Sequence, residues 1–181
     1  MRLRGPARSH QEWLTKPNRS QTVHFQISEK HIKFAAQVFN RLLIPKKLSN
    51  MVMRGFDSEA LLIVLNVIHA KFETVPRQVS LEQLARICAV AEYFECWSAL
   101  RFCIDMWLPH VRKSMSHVRF LRDLVLWLWL ACELRFDEDW RDAAMKVIYQ
   151  SPGPVPSLRL PFPNNITFTK TVTRRVSFVF S

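Results

Sequence analysis

The chain has 181 residues, 49 % of them hydrophobic and 23 % charged, which is enough for one folded domain with tails. Its formal charge of +11 is unevenly spread: residues 1–56 hold eleven Lys/Arg and two acids, residues 57–150 eleven and thirteen, and residues 151–181 four and none. A basic body would point to a nucleic-acid docking face, whereas basic ends on a near-neutral body point to solvated tails with weak attraction to polyanions.

Two further exclusions follow from composition. The longest apolar run, Leu124 to Cys132, is nine residues, about half of what a bilayer-spanning helix needs, and reads as a buried helix. The start of the chain has basic residues but no apolar core of a secretory leader. The four cysteines, Cys88, Cys96, Cys103 and Cys132, form no C-x-x-C pair and sit in apolar helical patterns. Reduced, buried thiols in an intracellular protein, nuclear or cytoplasmic, are the expectation.

In chain order, residues 1–21 are a basic tail with Pro6 and Pro17. Val23, Phe25 and Ile27 alternate with His24 and Gln26, the period of a half-buried strand. At Ser28 the period changes. Ile32, Ala35, Ala36, Phe39, Leu42 and Leu43 follow the apolar stripe of a helix, so a strand is expected to run straight into a helix. His31 lies off that stripe and reads as a partly exposed histidine that helps to fix the strand-to-helix corner, since nothing else in the sequence favours a pH switch or a ligand. A short strand is expected around Met51 to Met53. A helix then begins at Asp57, with Leu61, Leu65 and Ile68 on one side. The loop broken by Pro76 leads to a helix from Ser80, with Leu81, Leu84, Ala85, Cys88 and Ala91 inward. The next helix carries Leu100, Cys103, Ile104, Trp107 and Val111, with Pro109 as a candidate end or kink. Two more helices follow, over residues 120–134 and 136–151, the second with Trp140, Ala143, Ala144, Val147 and Ile148 inward. Beyond Gln150 the sequence is rich in proline, then in Thr, Val and Phe, so a β-prone tail is expected over 151–181.

Three helix starts share one pattern. Ile27–Ser28–Ile32, Phe56–Asp57–Leu61 and Val79–Ser80–Leu84 each set an apolar residue before a capping side chain and another four positions after it. This is the hydrophobic staple, and Gln83 adds a capping box at the third site.

The search for chemistry is negative. Three glycines, Gly5, Gly55 and Gly153, cannot build a phosphate-cradling loop, and there is no G-x-S-x-G or H-E-x-x-H. Cys96, Cys103 and His110 recur every seven residues, but two helical turns separate each from the next by about 10 Å, too far to share a metal. Arg174 to Ser177 match a short basic phosphorylation pattern that also alternates like an ordinary strand. The residues therefore point to no enzyme, no cofactor and no metal.

Several stretches carry a family resemblance. Phe25–Gln26–Ile27–Ser28, Glu29–Lys30–His31–Ile32 and Ala35 through Phe39 stand where fungal BTB/POZ-domain proteins have F-x-V-S, S-K-H-L and A-S-P-V-F. Asp57 through His69 is similar to that family's D-x-E-A-L-L-I-L-L-x-I-I-H helix. Val75 through Ala85, Tyr93–Phe94, Cys96, Trp107, Arg122 to Trp127, Ser151 to Pro154 and Leu160 to Pro163 resemble further pieces. The resemblance covers roughly residues 22–166. It lacks the family's first strand, and residues 167–181 depart from the family's ending.

The resemblance implies an α+β, mostly helical fold: a BTB/POZ-like domain with a small sheet and a helical bundle over 22–112, then a helical extension over 113–150. It implies a protein-interaction module, a dimerising scaffold or an adaptor for a cullin-type ubiquitin ligase, with no small-molecule substrate. The alternative function is a nucleic-acid-associated nuclear protein that uses its basic ends. With the first strand missing, Val23, Phe25 and Ile27 form a candidate interaction edge, since an open strand edge recruits other chains. A monomer or weak homodimer is expected.

Overall fold

A computed structural model of the chain describes residues 23–36, 38, 56–115, 120–151, 155, 158 and 162. Helix accounts for 75 % of the described residues and no strand occurs among them, so the expected α+β fold with a small sheet is corrected to a helical one. Among the described residues the elements are α1 (Glu29–Ala35), α2 (Ser58–Ile68), a 3-10 turn (Phe72–Thr74), α3 (Leu81–Phe94), α4 (Trp97–Met115), α5 (Leu121–Glu133) and α6 (Asp137–Gln150). The chain divides into two compact units, Met1–Ser116 and His117–Ser181.

The expected strand at Val23–Ile27 is an irregular lead-in to α1. Its alternation survives in the burial: Phe25 and Ile27 are half-buried, while Val23, His24 and Gln26 are exposed. A period of two records only that one side of an extended segment meets an apolar surface. It does not supply the partner strand that a ladder requires. The helix that follows is also shorter than its stripe. Ala36, at φ −124° and ψ 104°, ends α1 after seven residues. Phe39, Leu42, Leu43, the 51–53 segment, residues 1–21 and almost all of 152–181 lie outside the described residues.

The helix starts follow the sequence closely at two sites. Asp57 Oδ1 accepts from the Ala60 N–H at 3.0 Å, and Ser80 Oγ from the Gln83 N–H at 3.1 Å. Each cap satisfies a donor that the first turn of a helix leaves orphaned. The expected capping box forms by half. The Gln83 amide turns away from Ser80 and donates to Glu59 Oε1 at 2.9 Å, tying α3 to α2.

The helix ends follow a second pattern that the sequence hides. After α2, α3 and α5 the chain passes through the left-handed region at Ala70 (φ 56°), Glu95 (φ 52°) and Arg135 (φ 57°). At each end the next residue's N–H reaches back to the carbonyl five positions earlier: Lys71 to Asn66, Cys96 to Ala91, Phe136 to Ala131. The left-handed residue itself bonds three back, to Val67, Glu92 and Cys132. These are three Schellman turns, each made without the glycine that relieves left-handed strain.

In the first unit the N-terminal end of α2 lies against α3. Arg86 donates to Asp57 Oδ2 at 3.3 Å and to Glu82 Oε1 at 2.5 Å, and its side chain is 11 % exposed. Phe56 packs on Tyr93 and Phe94, with ring centroids 4.8 and 5.9 Å away. The core holds Val64, Leu84, Ile87, Phe94, Leu100 and Trp107, all effectively closed to solvent. Trp107 buries its whole ring and donates its Nε1–H to the Pro76 carbonyl at 2.7 Å, so α4 clamps the loop after α2. Helix α4 runs through Pro109 to Met115 rather than ending there. The proline forgoes one intrahelical bond and stands on the exposed side.

In the second unit α5 and α6 form a pair closed by the Arg135 turn. Every residue from Leu124 to Ala131 is buried, as an all-round apolar helix requires. Helix α6 opens with Asp137, Glu138 and Asp139, which favour the positive end of the helix dipole, and buries Ala143, Ala144 and Val147.

Candidate functional site

The most specific polar arrangement in the first unit lies at the seam between α1 and α2. His69, the residue that follows α2, works with both ring nitrogens. Its Nδ1 lies 2.8 Å from the Leu65 carbonyl, and its Nε2 lies 2.9 Å from the Ser28 backbone nitrogen. A carbonyl only accepts and a backbone N–H only donates, so Nδ1 carries the proton and Nε2 accepts. The ring is therefore neutral in this arrangement, with its tautomer fixed by its two partners.

His31 completes the seam. Its ring stacks on His69 with centroids 5.2 Å apart and planes inclined by 24°. Its Nδ1 meets Ser28 Oγ at 2.9 Å, and the Ser28 hydroxyl makes no cap bond to α1. The stacking of His31 on a second histidine has no sequence signal. On the same segment, Ile32 and Ala36 are closed to solvent. Burying an isoleucine contributes about 1.5–3 kcal/mol. The Glu29–Lys33 pair at 2.6 Å is about one-third exposed and contributes little.

The expected interaction edge stands just before this seam. Val23 is 51 % exposed, and Phe25 and Ile27 are half-buried; none belongs to a strand. The larger exposed apolar groups lie elsewhere, and sequence reasoning placed none of them in a site. Phe34 on α1 is 94 % exposed, and Phe102 and Met106 stand one turn apart on the open side of α4.

No group of three or more His, Cys, Asp or Glu capable of holding a metal occurs among the described residues. Cys96 and Cys103 are buried while His110 is exposed, so the heptad trio does not converge. Burial pushes the Cys96 thiol up to about 12, partly opposed by a backbone hydrogen bond. Burial also raises the Cys103 and Cys132 thiols, with Glu133 adding to the rise at Cys132. Raised thiols are poor nucleophiles and poor metal ligands at neutral pH. No described helix is long and apolar enough to cross a membrane.

Comparison with family models, with curated proteins and with solved structures found no match for this chain.

Proposed function

We propose that the chain is a non-enzymatic protein-interaction module of the BTB/POZ type, acting through its helical part and through protein partners. One observation carries this reading. The segments that resemble the family, though spread along the chain, meet one another through specific long-range bonds. Ser28 and His31 of the first segments meet His69 at the end of the second. Pro76 of the third meets Trp107 of the last in this unit. Asp57 of the helix segment meets Arg86, directly after the third. The Ser28–His69 and Pro76–Trp107 bonds thus join pieces quoted separately from the sequence. The near-neutral charge of residues 57–150 also fits a protein partner better than a polyanion.

Affinity capture with the full chain, followed by reconstitution with the purified captured protein, tests this. Saturable binding that survives nuclease treatment and moderate salt supports the module. Capture abolished by nuclease, or a binding constant falling steeply with salt, would assign the basic ends as the functional part instead.

A further inference from the structure

We propose that the seam formed by Ser28, His31 and His69 is a proton-sensitive latch, which holds the segment 23–36 on α2 at neutral pH and releases it in mild acid. The inference stands apart from the partner reading, since it rests on the seam alone.

Histidine is the side chain that changes charge between about pH 5 and 8. The two histidines meet a proton differently. His31 is exposed, and its nitrogen faces a hydroxyl that accepts as readily as it donates. A proton on His31 therefore leaves its bond to Ser28 intact. His69 has no such freedom. Both of its nitrogens are committed, and Nε2 is an acceptor for a backbone donor. Protonating Nε2 sets N–H against N–H, so the bond to Ser28 is lost and that amide is left without its partner. With both rings charged, stacked 5.2 Å apart, like-charge repulsion adds to the loss.

The surrounding charges do not cancel this effect. On α1, Glu29 is engaged by Lys33, and Lys30 is exposed. The turn after α2 carries Lys71 and Glu73, both exposed. At the far end of α2, Asp57 is held by Arg86 and Glu59 by Gln83. No carboxylate among the described residues is hydrogen-bonded to either ring. A proton on Nε2 is incompatible with the Ser28 N–H that this nitrogen accepts in the closed seam, so closure weakens as pH falls. Opening exposes Ile32 and Ala36, which are closed to solvent in the seam, so a charge change at one ring becomes a change in exposed apolar area.

Amide hydrogen exchange by NMR, corrected for the intrinsic pH dependence of exchange, reads the latch directly. Protection of the Ser28 and Ile32 amides should fall about tenfold between neutral pH and about pH 5.5, the equivalent of one hydrogen bond, while Leu84 and Ala89 in α3 hold. In His69→Gln, whose side chain remains a neutral acceptor, the fall should vanish. Protection that does not change with pH, or that falls equally in His69→Gln, would overturn the latch. The imidazole nitrogen spectrum of the natural chain keeps the test decisive if that variant does not fold. At neutral pH His69 must carry its proton on Nδ1, and the appearance of a proton on Nε2 must coincide with the loss of Ser28 protection. A proton on Nε2, or Ser28 released before His69 titrates, overturns the proposal.

Discussion

The first unit is held together in two different ways, and the contrast explains what each part can do. Helices α2, α3 and α4 are joined by buried apolar side chains, the full burial of Trp107 and a partly buried Asp57–Arg86–Glu82 network. The seam between α1 and α2 is joined by the polar set of Ser28, His31 and His69, on a segment in which only Ile32 and Ala36 are closed to solvent among the described residues. Apolar burial is indifferent to pH and large in sum, whereas a hydrogen bond to a titratable acceptor is modest and conditional. The three-helix part is therefore the scaffold, and the seam is where the molecule responds to its surroundings.

The strongest challenge to the contrast is Trp107→Ala, which should cost about 3–5 kcal/mol in urea unfolding, as for other buried aromatic truncations. Trp107→Phe keeps most of the volume but leaves the Pro76 carbonyl unpaired, and should cost about 1–3 kcal/mol. An unchanged midpoint in Trp107→Ala would mean that the α4 clamp is not part of the scaffold.

Asp57→Ala sharpens the same comparison. It removes the cap on Ala60 and one of the two carboxylates facing Arg86, for a loss of about 2 kcal/mol. Glu82 still holds the guanidinium, so Glu82→Ala and Asp57→Ala together should exceed the sum of the two single losses. Simple additivity would show that the network is not coupled.

Alkaline pH should weaken the scaffold while acid weakens the seam. Cys96 is raised from 9.0 to about 12, and burial raises Tyr93 as well. A group with a raised folded-state pKa contributes its stability below its unfolded value and loses it as pH rises toward the folded one. Each pH unit above about 9 should therefore cost about 1 kcal/mol through Cys96, and Cys96→Ala should flatten the profile. A flat profile in the natural chain would contradict the burial of that thiol.

The smallest expected effects lie at the helix ends. Glu95→Gly and Arg135→Gly relieve left-handed strain at the Schellman turns and should gain about 0.5 kcal/mol each, after the entropy of the added glycine. A loss of stability at either site would show that the turn depends on the side chain it replaces.

How much of this was legible in the sequence depended on whether the signal was local. The caps at Asp57 and Ser80 and the inward place of Trp107 follow from residues a few positions apart. Helix ends were less legible because their usual marker, glycine, is absent at Ala70, Glu95 and Arg135, so the left-handed turns carry no signature. The lead-in misled for a different reason. Alternation at Val23–Ile27 reports one half-buried side, and the surface that buries it is not written in those five residues. The seam could not be read at all, since its central bond joins Ser28 to a side chain 41 residues away.

Native-state hydrogen exchange in low urea at neutral pH tests the contrast most directly. The account predicts that the Ser28, Ile32 and Ala36 amides open in a separate, small-surface event at a free energy well below that of Leu84, Ala89 and Cys103. Exchange of all six amides along one isotherm, at one free energy and with one urea dependence, would contradict it, because seam and scaffold would then be a single cooperative structure.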